Sequence, residues 1–202
     1  MKINIETYNK EWTGQFEKIK TDLCSILVKL NPKIEHIGST SVPNLAAKPI
    51  IDIQVGIENS YDLDKTIEPM INNHYIYYEI YNSVMPNRRL FVGLKDKKYI
   101  RNFQNIYSKG DLIPHEKINQ LRLTHIHIWE HGTDDWHRHI AFRDYLREHP
   151  EITSQYESLK KQLSTKDWKD VNEYNDAKNS FIKTEEAKAI LWYRKNNDAI
   201  IS

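Results

Sequence analysis

The residues best suited to chemistry lie in two segments, the first of which closes a short predicted strand over residues 34–37. Residues 36–41 read His-Ile-Gly-Ser-Thr-Ser. A strand that turns into a helix at such a point presents backbone N–H groups and small hydroxyls, which can hold a phosphate. Gly38 has no Cβ atom, so a ligand can approach its backbone closely. Because Gly-Ser pairs also form ordinary turns, the segment alone does not distinguish a phosphate site from a turn.

The second segment is a predicted strand, Pro49–Ile57, that carries Asp52 among β-branched residues. Side chains alternate along a strand, so Asp52 and Gln54 share one face. An aspartate in an apolar strand costs free energy unless something pairs with it. A divalent metal, Lys48 or Arg143 would each serve. A backbone N–H group or a lysine in a purely structural role would also serve, and the sequence leaves these alternatives open.

Two histidines on a later predicted strand can add to this site. His125 and His127 lie two residues apart, so their imidazoles share a face. If their strand lies beside that of Asp52, both imidazoles point into the same cleft. Two imidazoles and a carboxylate suit Zn²⁺ or Fe²⁺ better than Mg²⁺. The alternative is that both histidines lie on the solvent face of a half-buried strand.

Arginines supply the candidate anion contacts. Arg143 shares a predicted helix face with Trp136, His139 and Ile140. A cation on that packing face is expected to point at a buried carboxylate, such as Asp52, or at a phosphate. Asp144 and Arg147 are predicted to lie on a solvated face of the same helix. Arg88 and Arg89 open a strand, so only one of them can face the cleft.

The elements that position these residues follow from hydrophobic periodicity and from the placement of proline and glycine. Helices are predicted over residues 9–30, 61–74, 133–149, 152–163 and 171–194, and strands over residues 34–37, 49–57, 75–82, 88–94 and 124–130. Residues 39–47 read as a loop with one or two helical turns, and the polar stretch 95–123 has no clear pattern. The expected fold is α+β, with a mixed β-sheet, flanking helices and a C-terminal helical layer over about 133–202, in a single domain spanning 1–202.

Composition excludes several classes of protein. The chain has 202 residues, with 29 basic and 28 acidic side chains, so it has no broad positive field and general nucleic-acid binding is not expected. Cys24 is the one cysteine, which rules out an intramolecular disulfide and a cysteine-based zinc site, and we interpret it as core packing. No apolar run approaches the roughly 18 residues of a membrane span, and we expect a soluble, cytoplasmic protein.

Longer motifs resemble a known family. Residues 36–43 and 46–53, followed by residues 124–128 and 136–149, resemble the hallmark blocks of the GrpB family. More broadly, Gly-Ser followed by an acidic residue on the next strand resembles the polymerase-β-type nucleotidyltransferases. The resemblance implies a nucleotidyltransferase-like fold, in which Asp52 is a catalytic metal ligand for Mg²⁺ or Mn²⁺ and the Gly-Ser turn holds phosphates. The expected phosphate-binding residues are Gly38, Ser39, Thr40, Ser41, Lys48 and Arg143.

One position departs from the nucleotidyltransferase pattern. Gln54 stands where an active enzyme presents its second carboxylate. Two Mg²⁺ ions normally need several carboxylate oxygens, and an amide oxygen is a neutral, weaker ligand. Two main hypotheses follow, beside a purely structural or interaction protein, which would leave Asp52 and the two histidines without partners. Either the protein transfers a nucleotidyl group to an acceptor, or it is a non-catalytic module that binds a nucleotide or another phosphorylated small molecule.

Overall fold

A computed structural model describes residues 2–197, and these residues form two compact units. The sheet unit comprises residues 13–36 and 50–136. The helical unit comprises residues 2–12, 37–49 and 137–197. The candidate residues are divided between the units, since Asp52, His125 and His127 belong to the first, whereas Gly38–Ser41, Lys48 and Arg143 belong to the second. Each unit is therefore described by itself.

The sheet has five strands in the order β1-β2-β5-β4-β3. Their bounds are β1 Lys33–Ile37, β2 Ile51–Ile57, β3 Ile76–Tyr77, β4 Arg89–Leu94 and β5 Arg122–Glu130. Strand β2 runs parallel to β5, whereas β4 runs antiparallel to both β5 and β3. The sheet is therefore mixed, and together with the helices it confirms the α+β class. The nucleotidyltransferase-like arrangement stays a prediction.

Strand register gives the sheet two chemically different faces. On one face, the β-branched residues of β2 and β5 are fully buried: Ile51, Ile53, Val55, Ile126 and Ile128. The other face carries Asp52 beside His125 and Gln54 beside His127. The alternation of β2 predicted both faces, since side chains two residues apart point the same way.

The first helix, α1, spans Glu11–Ile26, and a single 3-10 turn, Val28–Leu30, continues it. Within the sheet unit it buries Phe16, Ile19 and Leu23, and the ring of Phe16 stacks on His36 of β1 at 4.7 Å. Cys24 is exposed, so its interpretation as core packing was wrong. It follows Leu23 directly, and neighbouring residues on a helix point about 100° apart.

Two segments of the sheet unit differ from their predictions. The helix predicted over 61–74 is a 3-10 helix, Ser60–Thr66, followed by α2, Ile67–Asn72. Pro69 lies in the first turn of α2, where a missing N–H is tolerated, but a proline cannot continue a longer helix. The strand predicted over 75–82 is only β3, after which a 3-10 turn, Glu79–Tyr81, begins.

The unassigned stretch 95–123 has structure of its own. It forms a 3-10 helix, Lys97–Asn102, and helix α3, His115–Leu121. Tyr107 and Ile118 from this stretch insert into a core with Leu90 and Val92 of β4. Only a few side chains of the stretch are buried, and its composition is correspondingly polar. Hydrophobic periodicity therefore did not predict its two helical elements.

The helical unit contains α4 Asp134–Glu148, of which residues 137–148 belong to this unit, α5 Pro150–Ser164 and α6 Val171–Asn197. One core joins Val42 and Leu45 to Leu146 and Tyr156, and a second joins Ile3 to Leu163 and Tyr174. Glu6 and Ala47 exchange both main-chain hydrogen bonds at 2.9 Å. No helix within the described part of the chain combines the length and apolar character that a bilayer crossing requires.

Candidate functional site

Asp52 forms a pair with His125 on the polar face of the sheet unit. The two residues are register partners on parallel strands β2 and β5. His125 Nδ1 lies 3.1 Å from Asp52 Oδ1, and the side chains are 27% and 32% exposed, respectively. The pair is therefore reachable from solvent, although each side chain is mostly covered. The condition that the two strands lie side by side is therefore met.

Arg122 extends this pair into a chain of three side chains. Its Nη1 lies at hydrogen-bond distance from His125 Nε2. A guanidinium group can only donate, so His125 Nε2 accepts, and the imidazole proton sits on Nδ1 and is donated to Asp52. The structure thus fixes one tautomer of a neutral imidazole between a cation and a carboxylate.

The Arg122 guanidinium is incompletely satisfied. The residue is 9% exposed, and its Nε–H is buried with no hydrogen-bond partner among residues 2–197. Burial lowers the pKa of Arg122, and the nearby Tyr78 and Asp52 side chains oppose that shift. A buried cation with an unused donor is costly, and an anion that accepted from Nε would relieve that cost.

A strand irregularity explains why Arg122 reaches this face. Simple alternation from His125 would turn Arg122 to the opposite face. However, Gly93 pairs with Thr124 whereas Leu94 pairs with Arg122, so Leu123 is an extra residue in the ladder. Such a bulge redirects the side chains that precede it. The sequence did not identify Arg122 as a site residue, because a bulge depends on how the strand pairs with its neighbour.

His127 is engaged by a second arginine. Arg88 Nη1 lies 3.4 Å from His127 Nδ1, and the guanidinium also lies 5.7 Å from the centre of the Trp129 ring. Burial lowers the pKa of Arg88, and the nearby Asp135 carboxylate opposes that shift. Arg89 instead donates to Asp64 at 2.6 Å. The prediction that only one of these two arginines faces the histidines is consistent with these contacts.

Gln54 is fully buried in the same unit. Its Nε2 donates to the main-chain oxygen of Trp136 at 3.0 Å. Its Oε1 is buried and accepts no hydrogen bond from the described residues. An amide therefore occupies the position that would hold a second metal carboxylate, and its hydrogen bond from Nε2 to Trp136 O fixes its orientation.

The donor set around Asp52 suits an anion better than a cation. Within residues 2–197, no three His, Cys, Asp or Glu side chains are arranged to hold a metal ion together. The Nε2 atom of His125 and the Nδ1 atom of His127 each lie within 3.4 Å of a guanidinium nitrogen. A metal ion at either atom would have to replace a cation that is already there. The metal roles of Asp52, His125 and His127, and the use of Mg²⁺ or Mn²⁺, stay predictions.

In the helical unit, the Gly-Ser segment is a single 3-10 turn, Ser39–Ser41, that follows Gly38 with φ of 70°. Ser41 Oγ donates to Gly38 O at 2.6 Å, and both Thr40 and Ser41 are buried. The accessible part of the turn is therefore Gly38 and the half-buried Ser39. The phosphate-binding role of the turn stays a prediction.

Arg147 of α4 forms hydrogen bonds with this turn. Its Nη2 and Nε donate to Ser41 O at 2.8 and 3.1 Å. Arg147 is nevertheless exposed, as predicted for a solvated helix face, so it holds the turn from the surface. Asp144 accepts from Arg147 at 3.3 Å and from Arg143 Nε at 2.7 Å. This pairing orients both arginines.

Lys160 of α5 lies beneath the turn. It is 2% exposed, and its Nζ lies 3.1 Å from Ser39 Oγ and also contacts the main-chain oxygen of Ala46. Glu157, one turn earlier, accepts from Ala46 N at 3.2 Å. Burial lowers the pKa of Lys160 to about 7, and the positive charge of Lys178 adds to the shift.

Lys160 was missed although the sequence contains a signal for it. The buried residues of α5 are Thr153, Tyr156, Lys160 and Leu163, a stripe with spacings of three and four. A lysine on the buried stripe of an amphipathic helix needs a partner, in the same way as Asp52 on its strand. That inference would have identified Lys160 as a candidate site residue. It would not have identified Ser39 as its partner, which lies 121 positions away in the sequence.

The remaining candidates of the helical unit are Lys48 and Arg143. The Lys48 ammonium lies 4.5 Å from the centre of the Tyr174 ring. The Arg143 side chain is 10% exposed and binds Asp144 in a two-pronged contact. Their roles as phosphate ligands, and that of Asp52 as partner of Arg143, stay predictions.

Known proteins resemble the chain over nearly its whole length. The family described as GrpB protein matches residues 2–188. The UPF0157 protein YqkA of Bacillus subtilis is 33% identical over 198 residues, which are 98% of this chain and 50% of that protein. The chain thus spans half the length of that relative. The glutamate-rich protein GrpB of Alkalihalophilus pseudofirmus is 32% identical over 181 residues, covering 87% of this chain and 89% of that one.

A solved structure supports the fold. The crystal structure of conserved protein GrpB from Enterococcus faecalis is 34% identical, with a TM-score of 0.72. The similarity covers 94% of this chain and 99% of the other. The mixed sheet with its flanking helices is therefore shared with an experimentally determined relative.

Proposed function

The chain belongs to the GrpB family, and we propose from the chemistry of its polar sheet face that it binds a nucleotide or another phosphorylated small molecule there. The observation that carries the proposal is the buried Nε–H of Arg122, which has no partner within residues 2–197. Guanidinium groups bind phosphate through two parallel N–H donors, and Nε is one of the donors that such a contact uses.

His125 can adapt to a phosphate on Arg122. In the structure its Nε2 accepts from Arg122 while Nδ1 faces Asp52. If a second oxygen of the same phosphate takes over the Arg122 Nη1 donor, His125 can bind a proton and donate from Nε2 to the phosphate while it still donates to Asp52. Asp52 then stabilises the imidazolium. Binding is therefore expected to take up a proton.

Binding without turnover is favoured over nucleotidyl transfer. The transfer hypothesis places Mg²⁺ or Mn²⁺ on Asp52 and needs further carboxylates nearby. At the corresponding position Gln54 is buried and committed to the main chain of Trp136. Asp52 itself faces an imidazole rather than a second carboxylate. These contacts support a module that holds a phosphorylated ligand.

Titration calorimetry with ATP and with pyrophosphate, each with and without Mg²⁺, tests the proposal. We expect binding without Mg²⁺. In Arg122→Gln the affinity should be at least about 10-fold weaker, because charge-assisted hydrogen bonds contribute about 1.5–3 kcal/mol. Arg101→Gln changes an exposed arginine of the same unit and should bind as the wild type does. Absence of binding to either ligand, or equal binding by Arg122→Gln, would contradict the proposal.

A further inference from the structure

The helical unit contains a serine beside a buried lysine, and the polar sheet face uses neither residue. We propose that Ser39 is a nucleophile, that Lys160 is its general base, and that the pair transfers the acyl group of a carboxylic ester to water. This activity is separate from phosphate binding, since it rests on contacts within the helical unit alone.

The geometry of the pair meets the first requirement of such a mechanism. Lys160 Nζ lies 3.1 Å from Ser39 Oγ, within the distance over which a base takes a proton. Ser39 is half-buried, and its neighbour Gly38 is exposed and has no side chain to shield the hydroxyl. An ester carbonyl can therefore approach the oxygen from the Gly38 side.

The anchoring of Lys160 meets the second requirement, a fixed base. Its Nζ also contacts the main-chain oxygen of Ala46, and it lies 4.5 Å from the centre of the Tyr156 ring. A neutral amine can donate one N–H to Ala46 O and turn its lone pair to the Ser39 hydroxyl. In this way a second contact holds the base in position, as in serine–lysine variants of the catalytic triad.

The surroundings of Lys160 meet the third requirement, an amine that is neutral near pH 7. The residue is 2% exposed, and burial disfavours the ammonium form. The charged groups near it are Lys178 of α6, which adds to this effect, and Lys161 and Glu157 of α5, which act in opposite directions. Glu157 is already bound to Ala46 N and to Lys161. It therefore does not form a direct pair with Lys160.

The reaction is an ester hydrolysis in two steps. As Ser39 Oγ forms a bond to the carbonyl carbon, its proton passes to Lys160 Nζ. The C–O bond to the alcohol then breaks, and the alcohol oxygen leaves with the electron pair and takes the proton from Lys160. Water adds to the acyl-serine in the same way, giving up its proton to Lys160. Cleavage of the acyl–Oγ bond returns that proton to Ser39 and releases a carboxylic acid.

A fluorophosphonate probe tests the pair directly. Attack by Ser39 Oγ forms a P–O bond and releases fluoride, while Lys160 takes the proton. We expect mass spectrometry to find one adduct, on Ser39, and none on that residue in Ser39→Ala. In Lys160→Met the labelling rate should fall about 100-fold or more, the usual contribution of a general base. Ser158→Ala removes an exposed serine of α5 and should label as the wild type does.

The pH profile of the wild type adds a measurement that does not depend on variants that fold poorly. The labelling rate should rise with pH and level off above about pH 7, where Lys160 is neutral. No adduct on Ser39, an adduct only on another residue, or a rate that is independent of pH would each overturn the proposal. Since the probe carries no nucleotide, failure here is distinct from failure of ATP binding at Arg122.

Discussion

Gln54 Nε2 donates to the main-chain oxygen of Trp136 at 3.0 Å, and the residue is completely buried. This contact explains why the amide cannot simply be exchanged for the carboxylate of a metal site. A carboxylate would face the carbonyl of Trp136 with two acceptors opposed and no proton between them. The buried hydrogen bond to Trp136 therefore requires a donor, such as an amide, at this position.

Gln54→Glu is therefore expected to destabilise the protein. The cost should be about 2–4 kcal/mol near neutral pH, because a buried charge replaces a satisfied donor. Since burial raises the pKa of a carboxyl group, part of the loss should be recovered in acid. Urea denaturation measures the change, with Gln155→Glu on the exposed face of α5 as control. A variant as stable as the wild type would show that the site accepts a carboxylate.

The neighbouring arginines Arg88 and Arg89 allow a matched comparison. Arg88 contacts His127, whereas Arg89 is bound to Asp64. We expect Arg88→Gln to weaken ATP binding about 10-fold, since one charge-assisted contact is lost, and Arg89→Gln to leave the affinity within about 2-fold. Calorimetric titrations of both variants give the comparison. Equal losses would locate the ligand elsewhere or indicate a general charge effect.

Lys160 should make the stability of the protein rise with pH. Its pKa is lowered from 10.5 in the unfolded chain to about 7 in the folded protein. Between these values the unfolded state binds about one more proton, so the free energy of unfolding increases with pH, by about 1.4 kcal/mol per pH unit. Below about pH 7 both states hold the proton and this dependence ends.

The measurement is urea denaturation of the wild type and of Lys160→Met across this range. The stability of Lys160→Met relative to the wild type should fall as pH rises, because methionine does not titrate. Lys183→Met, at an exposed position of α6, should follow the wild-type curve. Parallel curves for the wild type and Lys160→Met would mean that Lys160 keeps its proton in the folded state at these pH values.

The sequence was sufficient to predict features that depend on local pattern. The β-branched run of β2 identified its strand, and the alternation around Asp52 placed Gln54 on the same face. Alternation also placed His125 and His127 on one face, whereas the pairing of β2 with β5 entered only as a condition. Pro32 predicted that the first helix ends near Asn31; α1 itself ends at Ile26, and the 3-10 turn Val28–Leu30 continues to Asn31, which has φ of 45°.

Features that depend on distant partners could not be predicted. The direction of Arg122 is set by an extra residue in its pairing with β4, and the burial of Gln54 depends on a contact 82 positions away. The composition of residues 95–123 concealed two core side chains. In each of these cases the determining neighbour is far along the chain, where periodicity carries no information.

Ala46 and Ala47 have a consequence for tolerated sequence change. Glu157 and Lys160 bind the main-chain N–H and oxygen of Ala46, and Glu6 binds both groups of Ala47. The loop is thus anchored through its peptide groups, although Ala46 and Ala47 are buried and leave room only for small side chains. The side chains that hold the loop in position are those of Glu157 and Lys160 in α5. A chain that kept the loop but changed those two residues would lose the anchor, whereas one that replaced the alanines by other small residues would keep it.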